Sequence, residues 1–225
     1  MFNQYAINPA VAGSEKSTIL SLSIRNQWLG FKDAPSTQVL SIHGSVNEKT
    51  GLGALVFNDN TGLLSKTGIQ LTYAYHFDLN KAGKISVGLS GMFYQHSVDK
   101  SSIKLADPND SAVQGEKEKT MVPDASFGLY YYSDKLYIGF SMPQLIQSRL
   151  GFNELADSSK LNQLVRHYFL SGGGYKFKIN DNFTIEPSIL LRAIAQAPVQ
   201  VDINAKLTYK KLLWLGLSYR NEESL

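Results

Sequence analysis

The sequence contains no cysteine, few charged residues and no long apolar run. Without cysteine, the chain can form neither a disulfide scaffold nor a cysteine-ligated zinc site. Charged residues make up 18% of the chain, whereas soluble proteins usually have about 25%. The net charge of +3 is small and scattered, so we expect no nucleic-acid partner. No stretch approaches the roughly 18 consecutive apolar residues of a membrane-spanning helix.

The start of the chain carries no basic, apolar and small-residue signal peptide. This start fits two alternatives equally: a signal that has already been removed, or a cytoplasmic chain that never had one. A length of 225 residues allows one large β domain or two ordinary domains. Because no linker or break in composition divides the sequence, we expect one domain.

The sequence alternates with a period of two residues. Over 67–77, 85–93, 183–191 and 199–209, mostly apolar residues occupy one set of alternating positions, and mostly small or polar residues occupy the other. This alternation predicts β-strands with one apolar and one polar face. Several segments reach about ten residues, the length of a tilted membrane-spanning strand. The eleven predicted strands are 16–25, 37–47, 51–58, 66–78, 84–96, 123–132, 135–142, 167–178, 182–193, 199–209 and 213–220.

The connections between the predicted strands alternate in length. Short turns follow the second, fourth, sixth, eighth and tenth strands. The other connections are mostly longer, at 59–65, 97–122 and 143–166, with 195–198 as a short exception. Short periplasmic turns opposite longer external loops are typical of outer-membrane barrels. We therefore expect the short turns to be periplasmic and the long loops to be external.

The two strand faces favour a membrane barrel over a soluble one. The polar face is mostly small and uncharged in mid-strand, which suits a crowded barrel interior, and many aromatic residues lie near strand ends. The sequence thus predicts an all-β, antiparallel, transmembrane outer-membrane β-barrel. The alternative is a soluble up-and-down barrel with an aromatic-rich core. We expect Leu71, Tyr73, Leu89, Ile189 and Ile203 to face lipid, and Gln70, Ser90, Ser188 and Asn204 to face the lumen.

No group of residues in the sequence predicts catalysis or metal binding. The four histidines, at 43, 76, 96 and 167, have no spacing that would bind a metal on one strand face. His167 and Ser171 share a strand face but would lie about 13 Å apart, too far for a nucleophile and its base. The Asp-Pro-Asn-Asp stretch at 107–110 is better explained as a turn than as a calcium site. We therefore expect a protein that is not an enzyme and that has no cofactor and no metal.

Two motifs near the N terminus resemble those of a known family. The first is Phe-Asn-Gln-Tyr-Ala-Ile-Asn-Pro-Ala-Val-Ala-Gly at 2–13, and the second is Arg-Asn-Gln-Trp-Leu-Gly-Phe at 25–31, followed by Ala-Pro-Ser-Thr-Gln at 34–38. Through them the chain resembles the PorP/SprF family of type IX secretion outer-membrane proteins. The resemblance runs over nearly the whole chain in the same order. Weaker matches lie at 51–53, 58–59, 73–76, 130–133 and 216–220.

The resemblance implies a multi-pass barrel in the bacterial outer membrane that serves secretion, surface anchoring or gliding motility. The implied partners are a secreted surface protein with a C-terminal sorting domain, a periplasmic lipoprotein or peptidoglycan-linked secretion component, and outer-membrane lipid. The Asn-Pro-Ala element at 8–10 is also similar to one in long-chain hydrocarbon transporters. It supports the alternative of a FadL-like passive channel for hydrophobic solutes.

The candidate functional residues fall into two groups. We expect residues 1–15 to form an N-terminal segment that plugs the lumen, through Asn8, Pro9 and Ala10, and residues 16–225 to form the barrel domain. We expect a second group to order the barrel mouth and to bind a partner. The alternative for its Arg-Asn-Gln-Trp stretch is that it only latches the first hairpin. This second group is Arg25, Asn26, Gln27, Trp28, Phe31, Pro35, Gln38, Arg149 and Phe152.

The number of predicted strands departs from the family pattern. Single-chain bacterial barrels have an even number of strands, and eleven is odd. No terminal strand ending in an aromatic residue closes the sequence. We therefore expect this chain to be part of a larger barrel of about 14 strands, incomplete at its C terminus.

Overall fold

A computed structural model of the chain describes residues 3–99, 117–146, 167–194, 198–210 and 212–221. These residues form twelve strands and two short 3-10 turns, Pro9–Val11 and Asn80–Ala82. The strands are β1 (Ile19–Asn26), β2 (Ser36–Ser45), β3 (Thr50–Thr61), β4 (Leu64–Asp78), β5 (Lys84–Asp99), β6 (Lys117–Tyr132), β7 (Leu136–Met142), β8 (His167–Tyr175), β9 (Phe177–Lys178), β10 (Phe183–Ile194), β11 (Gln200–Tyr209) and β12 (Leu213–Arg220).

The strands form a single sheet in which neighbours along the chain pair antiparallel. The path runs from β1 through β8, then to β10, β11 and β12, while the two-residue β9 pairs beside β10. Within the described residues, β1 and β12 each pair with one neighbour only. The sheet is curled, so the predicted all-β, antiparallel, barrel-type architecture is confirmed. The larger barrel of about 14 strands stays a prediction.

Among the described residues, no helix is long and apolar enough to cross a membrane.

Each of the eleven predicted strands corresponds to one long strand of the sheet. One of them is divided in the structure into a long and a short strand. The predicted strand 167–178 is interrupted at Lys176, which separates β8 from β9. A register shift lies nearby, where β7 pairs with β8 between Tyr137 and Gly139. The ring of Tyr137 lies where a Cβ on Gly174 would be, 2.1 Å from the Tyr137 Cζ. A glycine in a strand can allow such a close approach.

The prediction of a longer loop at 59–65 is wrong. β3 and β4 pair out to Thr61 and Leu64, and only Gly62 and Leu63 connect them. Gly62 has a φ of +59°, a conformation that glycine adopts without steric cost. The polar residues before this turn belong to β3 because they pair with residues of β4. The Asn58 Oδ1 accepts a hydrogen bond from the Thr67 Oγ1 at 2.9 Å.

The two faces of the sheet are arranged as the alternation predicts. Leu71 and Leu89 on the outer face are 62% and 55% exposed. Gln70 and Ser90 on the inner face are 8% and 4% exposed. The same pattern holds for the other predicted residues: Tyr73, Ile189 and Ile203 are exposed, while Ser188 and Asn204 are buried.

The antiparallel path places alternate connections at opposite ends of the sheet. One end, the short-turn end, has the turns after β2, β4, β6, β9 and β11. The opposite end, the long-loop end, has the connection 27–35, the turn at 62–63 and the connections after β5, β7 and β10. The ends of the predicted loop 97–122 are wrong, because 97–99 belong to β5 and 117–122 belong to β6. The rest of this loop, and 147–166 of the predicted loop 143–166, lie outside the described residues.

Candidate functional site

The N-terminal segment, residues 3–15, packs against the inner face of the sheet. Its 3-10 turn, Pro9–Val11, contacts β4, β5 and β6. Tyr5, Ala10 and Ala12 are buried almost completely and form one hydrophobic cluster with residues of the wall. The segment is therefore part of the packed interior.

Asn8 fastens this segment to strands that lie far away in the sequence. Its Nδ2 donates to the Leu129 carbonyl on β6 at 2.9 Å and to the Phe140 carbonyl on β7 at 3.3 Å. Its Oδ1 accepts from the Ala10 amide at 2.9 Å and so caps the 3-10 turn that Pro9 begins. Since Asn8 is buried, losing these partners would leave buried polar atoms unpaired.

Glycines of the wall make room for the N-terminal segment. A Cβ on Gly128 would lie 2.0 Å from the Asn8 Oδ1, and a Cβ on Gly88 would lie 2.3 Å from the Ala10 amide nitrogen. A Cβ on Gly51 would lie 2.0 Å from the Ala12 carbonyl oxygen. Side chains at Gly51 and Gly88 would collide with the segment's backbone, and one at Gly128 would collide with the Asn8 side chain.

Two histidines of the wall hold the end of the segment. His76 Nε2 lies 2.9 Å from the Ala12 carbonyl, which can only accept, so this nitrogen carries the proton. In the neutral ring, His76 Nδ1 then accepts from the Tyr132 hydroxyl at 2.9 Å. On β2, His43 Nδ1 accepts from the Gly13 amide at 3.4 Å. Both histidines thus have structural partners.

Tyr5 joins the segment to a layer of hydroxyl and amide groups on the wall. Its hydroxyl lies 2.8 Å from the Thr72 Oγ1, which lies 2.7 Å from the Ser90 Oγ. The Gln70 Nε2 donates to both of these wall hydroxyls, at 3.2 and 3.1 Å. Burial raises the pKa of Tyr5, so its hydroxyl stays neutral and can donate. This layer covers the inner face of β4 and β5 on the long-loop side of the segment.

Beyond this layer, larger side chains cover the inner face of β3 to β6 towards the long-loop end. Met92, Tyr94 and Val122 form a buried cluster against Phe57. The Lys66 ammonium lies 4.4 Å from the centroid of the Tyr94 ring. Along β3 to β6, rings and aliphatic chains therefore occupy the inner face between the polar layer and the long-loop end, and a cation packs on an aromatic ring.

A polar cavity lies on the other side of the N-terminal segment, at the short-turn end. It has a volume of about 1340 Å³ and extends from Asn3, Tyr5 and Gly13 to the short turns. Ten charged side chains line it, five acidic and five basic. We call it the short-turn vestibule. Its charged residues are Glu15, Lys16, Glu48, Asp78, Lys84, Asp134, Lys135, Lys176, Glu186 and Lys206.

The connection between β1 and β2 is folded as a turn that points apolar side chains into solvent. The Phe31 amide donates to the Trp28 carbonyl at 3.1 Å, and the Asp33 carbonyl accepts from the Gly62 amide at 3.0 Å. Trp28 is 70% exposed and Phe31 is 77% exposed, with Leu29 exposed between them. Trp28 has a φ of +50°, a conformation rare for large residues.

The remaining predicted mouth residues lie along the first hairpin. Arg25 is exposed at the end of β1 on the polar face, opposite Thr37. Asn26 Oδ1 accepts from the Ser36 Oγ at 2.8 Å. The Gln27 amide donates to the Pro35 carbonyl at 2.9 Å, and Gln38 is exposed opposite Ile24. Two predicted residues, Arg149 and Phe152, lie outside the described residues.

A comparison with known protein families identifies the family of this chain. The family described as type IX secretion system membrane protein PorP/SprF matches residues 1–225. The chain belongs to the PorP/SprF family. A search of curated proteins finds no match. This PorP/SprF protein is therefore a type IX secretion membrane component, and such components act with other parts of the machinery and with its cargo.

Sequence reasoning missed the residues of the PorP/SprF wall that receive the N-terminal segment. Gly51, Gly88 and Gly128 are inner-face glycines, and His43 and His76 are inner-face histidines. The available signal was weak: small residues on the polar face of alternating strands. Their common partner is far away in sequence, so no local pattern brings them together.

The described residues of this PorP/SprF protein hold no group of three or more His, Cys, Asp or Glu that could bind a metal ion. The family is a secretion-system membrane family that is not known for enzymatic activity.

Proposed function

We propose that this chain is a non-enzymatic barrel of the bacterial outer membrane that helps to secrete or anchor a cell-surface protein through that protein's C-terminal domain. The observation that carries the proposal is the family match over residues 1–225. The packing of the N-terminal segment against the inner face of the sheet agrees with it, because a docking scaffold does not need an open lumen.

The outer face of the sheet supports a location in the membrane. Its mid-strand side chains are aliphatic or aromatic and exposed, including Leu71, Leu89 and Ile203. In water, contiguous apolar patches larger than a few hundred Å² are rare on monomeric proteins. Lipid is the solvent that suits such a face in a barrel.

The turn between β1 and β2 supports protein docking at the long-loop end. Trp28, Leu29 and Phe31 are adjacent, exposed and fixed on an ordered turn. Aromatic anchors of this kind commonly dominate protein interfaces. The conformation of Trp28 costs of order 1–3 kcal/mol, and residues with such strain often cluster at binding sites. The strain supports docking over a latch that would only stabilise the hairpin.

The N-terminal segment is proposed to plug the lumen. Its support is the set of contacts that Asn8, Tyr5 and Ala12 make with β4, β6 and β7. A segment with so many buried partners would be costly to remove. The plug favours a scaffold over the alternative, a passive channel for hydrophobic solutes. The charged lining of the short-turn vestibule also suits hydrophobic solutes poorly.

A test of the docking proposal compares variants at opposite ends of the barrel. Trp28→Gly removes the indole while leaving a residue that adopts positive φ without cost, and Phe31→Ala removes the second aromatic ring. We expect each change to weaken retention of the surface protein by about tenfold or more, the usual effect of losing an interface hot spot. Phe177→Ala, which removes an exposed ring at the short-turn end, is the matched control.

Three readouts separate the alternatives in one strain: barrel level by heat-modified gel mobility, surface protein by whole-cell labelling, and uptake of a hydrophobic solute. The proposal predicts normal barrel levels, less surface protein and unchanged uptake. Loss of the barrel in Trp28→Gly would identify the turn as a structural latch. Altered uptake with normal surface protein would favour the channel.

A further inference from the structure

We propose that the short-turn vestibule binds an extended polypeptide segment of mixed charge, supplied by another component of the secretion machinery from the side of the short turns. The inference rests on the proposed function for its biological setting. Its physical basis is the shape and the charge distribution of the cavity.

The size and the charge of the vestibule disfavour two kinds of occupant, small ligands and nucleic acid. At about 1340 Å³ it is larger than the usual pockets for small ligands, which are about 300–1,000 Å³ and mostly apolar. With five acidic and five basic side chains, it offers no net charge to a polyanion such as nucleic acid. A polypeptide segment can fill this volume and present both signs of charge.

The vestibule ends against the N-terminal segment. Tyr5, Val11 and Gly13 line its inner end. Behind them, the layer of Tyr5, Thr72 and Ser90 joins the segment to the wall. An occupant that enters from the short turns would therefore meet the N-terminal segment along β4 to β6, which gives the vestibule the geometry of a docking cup on this side.

Only part of the charge in the vestibule is neutralised by the wall. Lys84 pairs with Asp78 at 3.0 Å, and Lys206 pairs with Glu186 at 3.0 Å. The other six charged residues make no ion pair within the part of the chain that the structure describes. They are Glu15, Lys16, Glu48, Asp134, Lys135 and Lys176.

These six charges are not evenly distributed. Glu15 precedes β1 and Glu48 lies in the turn after β2, so two acidic groups lie at one side of the vestibule. At the other side, the Lys176 amide donates to the Lys135 carbonyl at 2.8 Å. This bond brings together a lysine that ends the turn between β6 and β7 and a lysine that lies between β8 and β9. Lys16 and Asp134 offset each side only partly. A segment with acidic residues at one end and basic residues at the other would match both sides.

A synthetic peptide tests this match on the purified full chain in detergent micelles. The probe has two glutamates, a short Gly/Ser spacer, two lysines and a fluorophore, and its binding is followed by anisotropy. We expect saturable binding that weakens at high salt, since ion pairs in an open cup are screened. A peptide of the same composition with alternating charges should bind more weakly.

Two double variants locate the binding. Lys135→Gln with Lys176→Gln removes the two lysines that make the basic side of the vestibule, and we expect about tenfold weaker binding. Lys178→Gln with Lys210→Gln removes two exposed lysines at the same end that do not line the cavity, and we expect little change. Heat-modified gel mobility verifies that each variant forms the barrel.

Equal losses in the two double variants would overturn the proposal, because they would indicate non-specific attraction to basic turns. Absence of saturable binding would identify the vestibule as a water-filled mouth only, and would also overturn it. Neither result depends on retention of the surface protein, so failure here is distinguishable from failure of the proposed function.

Discussion

Gly88 and Gly91 lie three residues apart on β5 and face opposite sides of the sheet. A Cβ on Gly88 would lie 2.3 Å from the Ala10 amide nitrogen, whereas a Cβ on Gly91 would meet nothing within 4 Å. The same substitution therefore has different consequences at the two sites. At the residue scale, the packing of the N-terminal segment on the inner face requires wall residues without side chains at the points of contact.

We predict that Gly88→Ala destabilises the barrel by about 1–3 kcal/mol, because an added methyl group would force the segment away from β5. Gly91→Ala, the matched control, should leave the free energy of unfolding nearly unchanged. Denaturant unfolding in detergent micelles measures both. Equal effects of the two substitutions would show that the segment does not pack as described.

Two elements beyond the strands organise the ends of the barrel: the N-terminal segment and the turn between β1 and β2. The segment packs on the inner face between the short-turn vestibule and the cluster of Met92, Tyr94 and Val122. The turn presents Trp28 and Phe31 at the opposite end. The short-turn end thus has a charged cavity, and the long-loop end has an exposed aromatic turn.

The orientation of these ends gives a second prediction. In intact cells, a membrane-impermeant maleimide should label Lys32→Cys in the turn between β1 and β2 and should not label Asp181→Cys in the turn between β9 and β10. The reason is that short turns of outer-membrane barrels are periplasmic. Both residues are exposed, so accessibility in lysed cells is the control. Labelling of Asp181→Cys from outside would reverse the topology.

Strands were predictable from sequence because alternation is a local pattern. The turn at Gly62–Leu63 was not, since Asp59 and Asn60 look like loop residues until their partners on neighbouring strands are known. The Asp59 carboxylate accepts from the Thr37 Oγ1 at 2.6 Å. Polar residues can continue a strand when such pairs satisfy them.

The candidate sites were predictable to a smaller extent. The Asn-Pro-Ala stretch indicated a segment inside the barrel, but Asn8 bonds to Leu129, 121 residues away. No spacing in the sequence reveals that contact. The vestibule is also invisible in sequence, because its lining comes from many turns that meet only after the sheet curls.

For the whole molecule, the contrast between an apolar outer face and a polar inner face is the feature that indicates a membrane environment. Leu89 lies in the middle of β5 and is exposed. In lipid this exposure is favourable, whereas in water it would leave a large apolar surface unsatisfied. The outer face of the sheet is therefore suited to lipid and not to water.

We predict that Leu89→Arg destabilises the barrel in lipid bilayers by about 2–4 kcal/mol if the residue lies at the midplane. Leu29→Arg places the same charge on an exposed loop residue and should have little effect on stability. Unfolding by guanidinium in liposomes measures the difference. Tolerance of arginine at position 89 would place the outer face in water.

The most direct test of the docking account is a cross-linking measurement on the purified complex. A photoreactive amino acid replaces Leu29, which is 82% exposed in the turn between β1 and β2, or Ile179, which is exposed at the short-turn end. The account predicts that the C-terminal domain of the surface protein copurifies with the barrel and cross-links from position 29 but not from position 179. A barrel that purifies without that domain and holds lipid or detergent in its lumen would contradict the account.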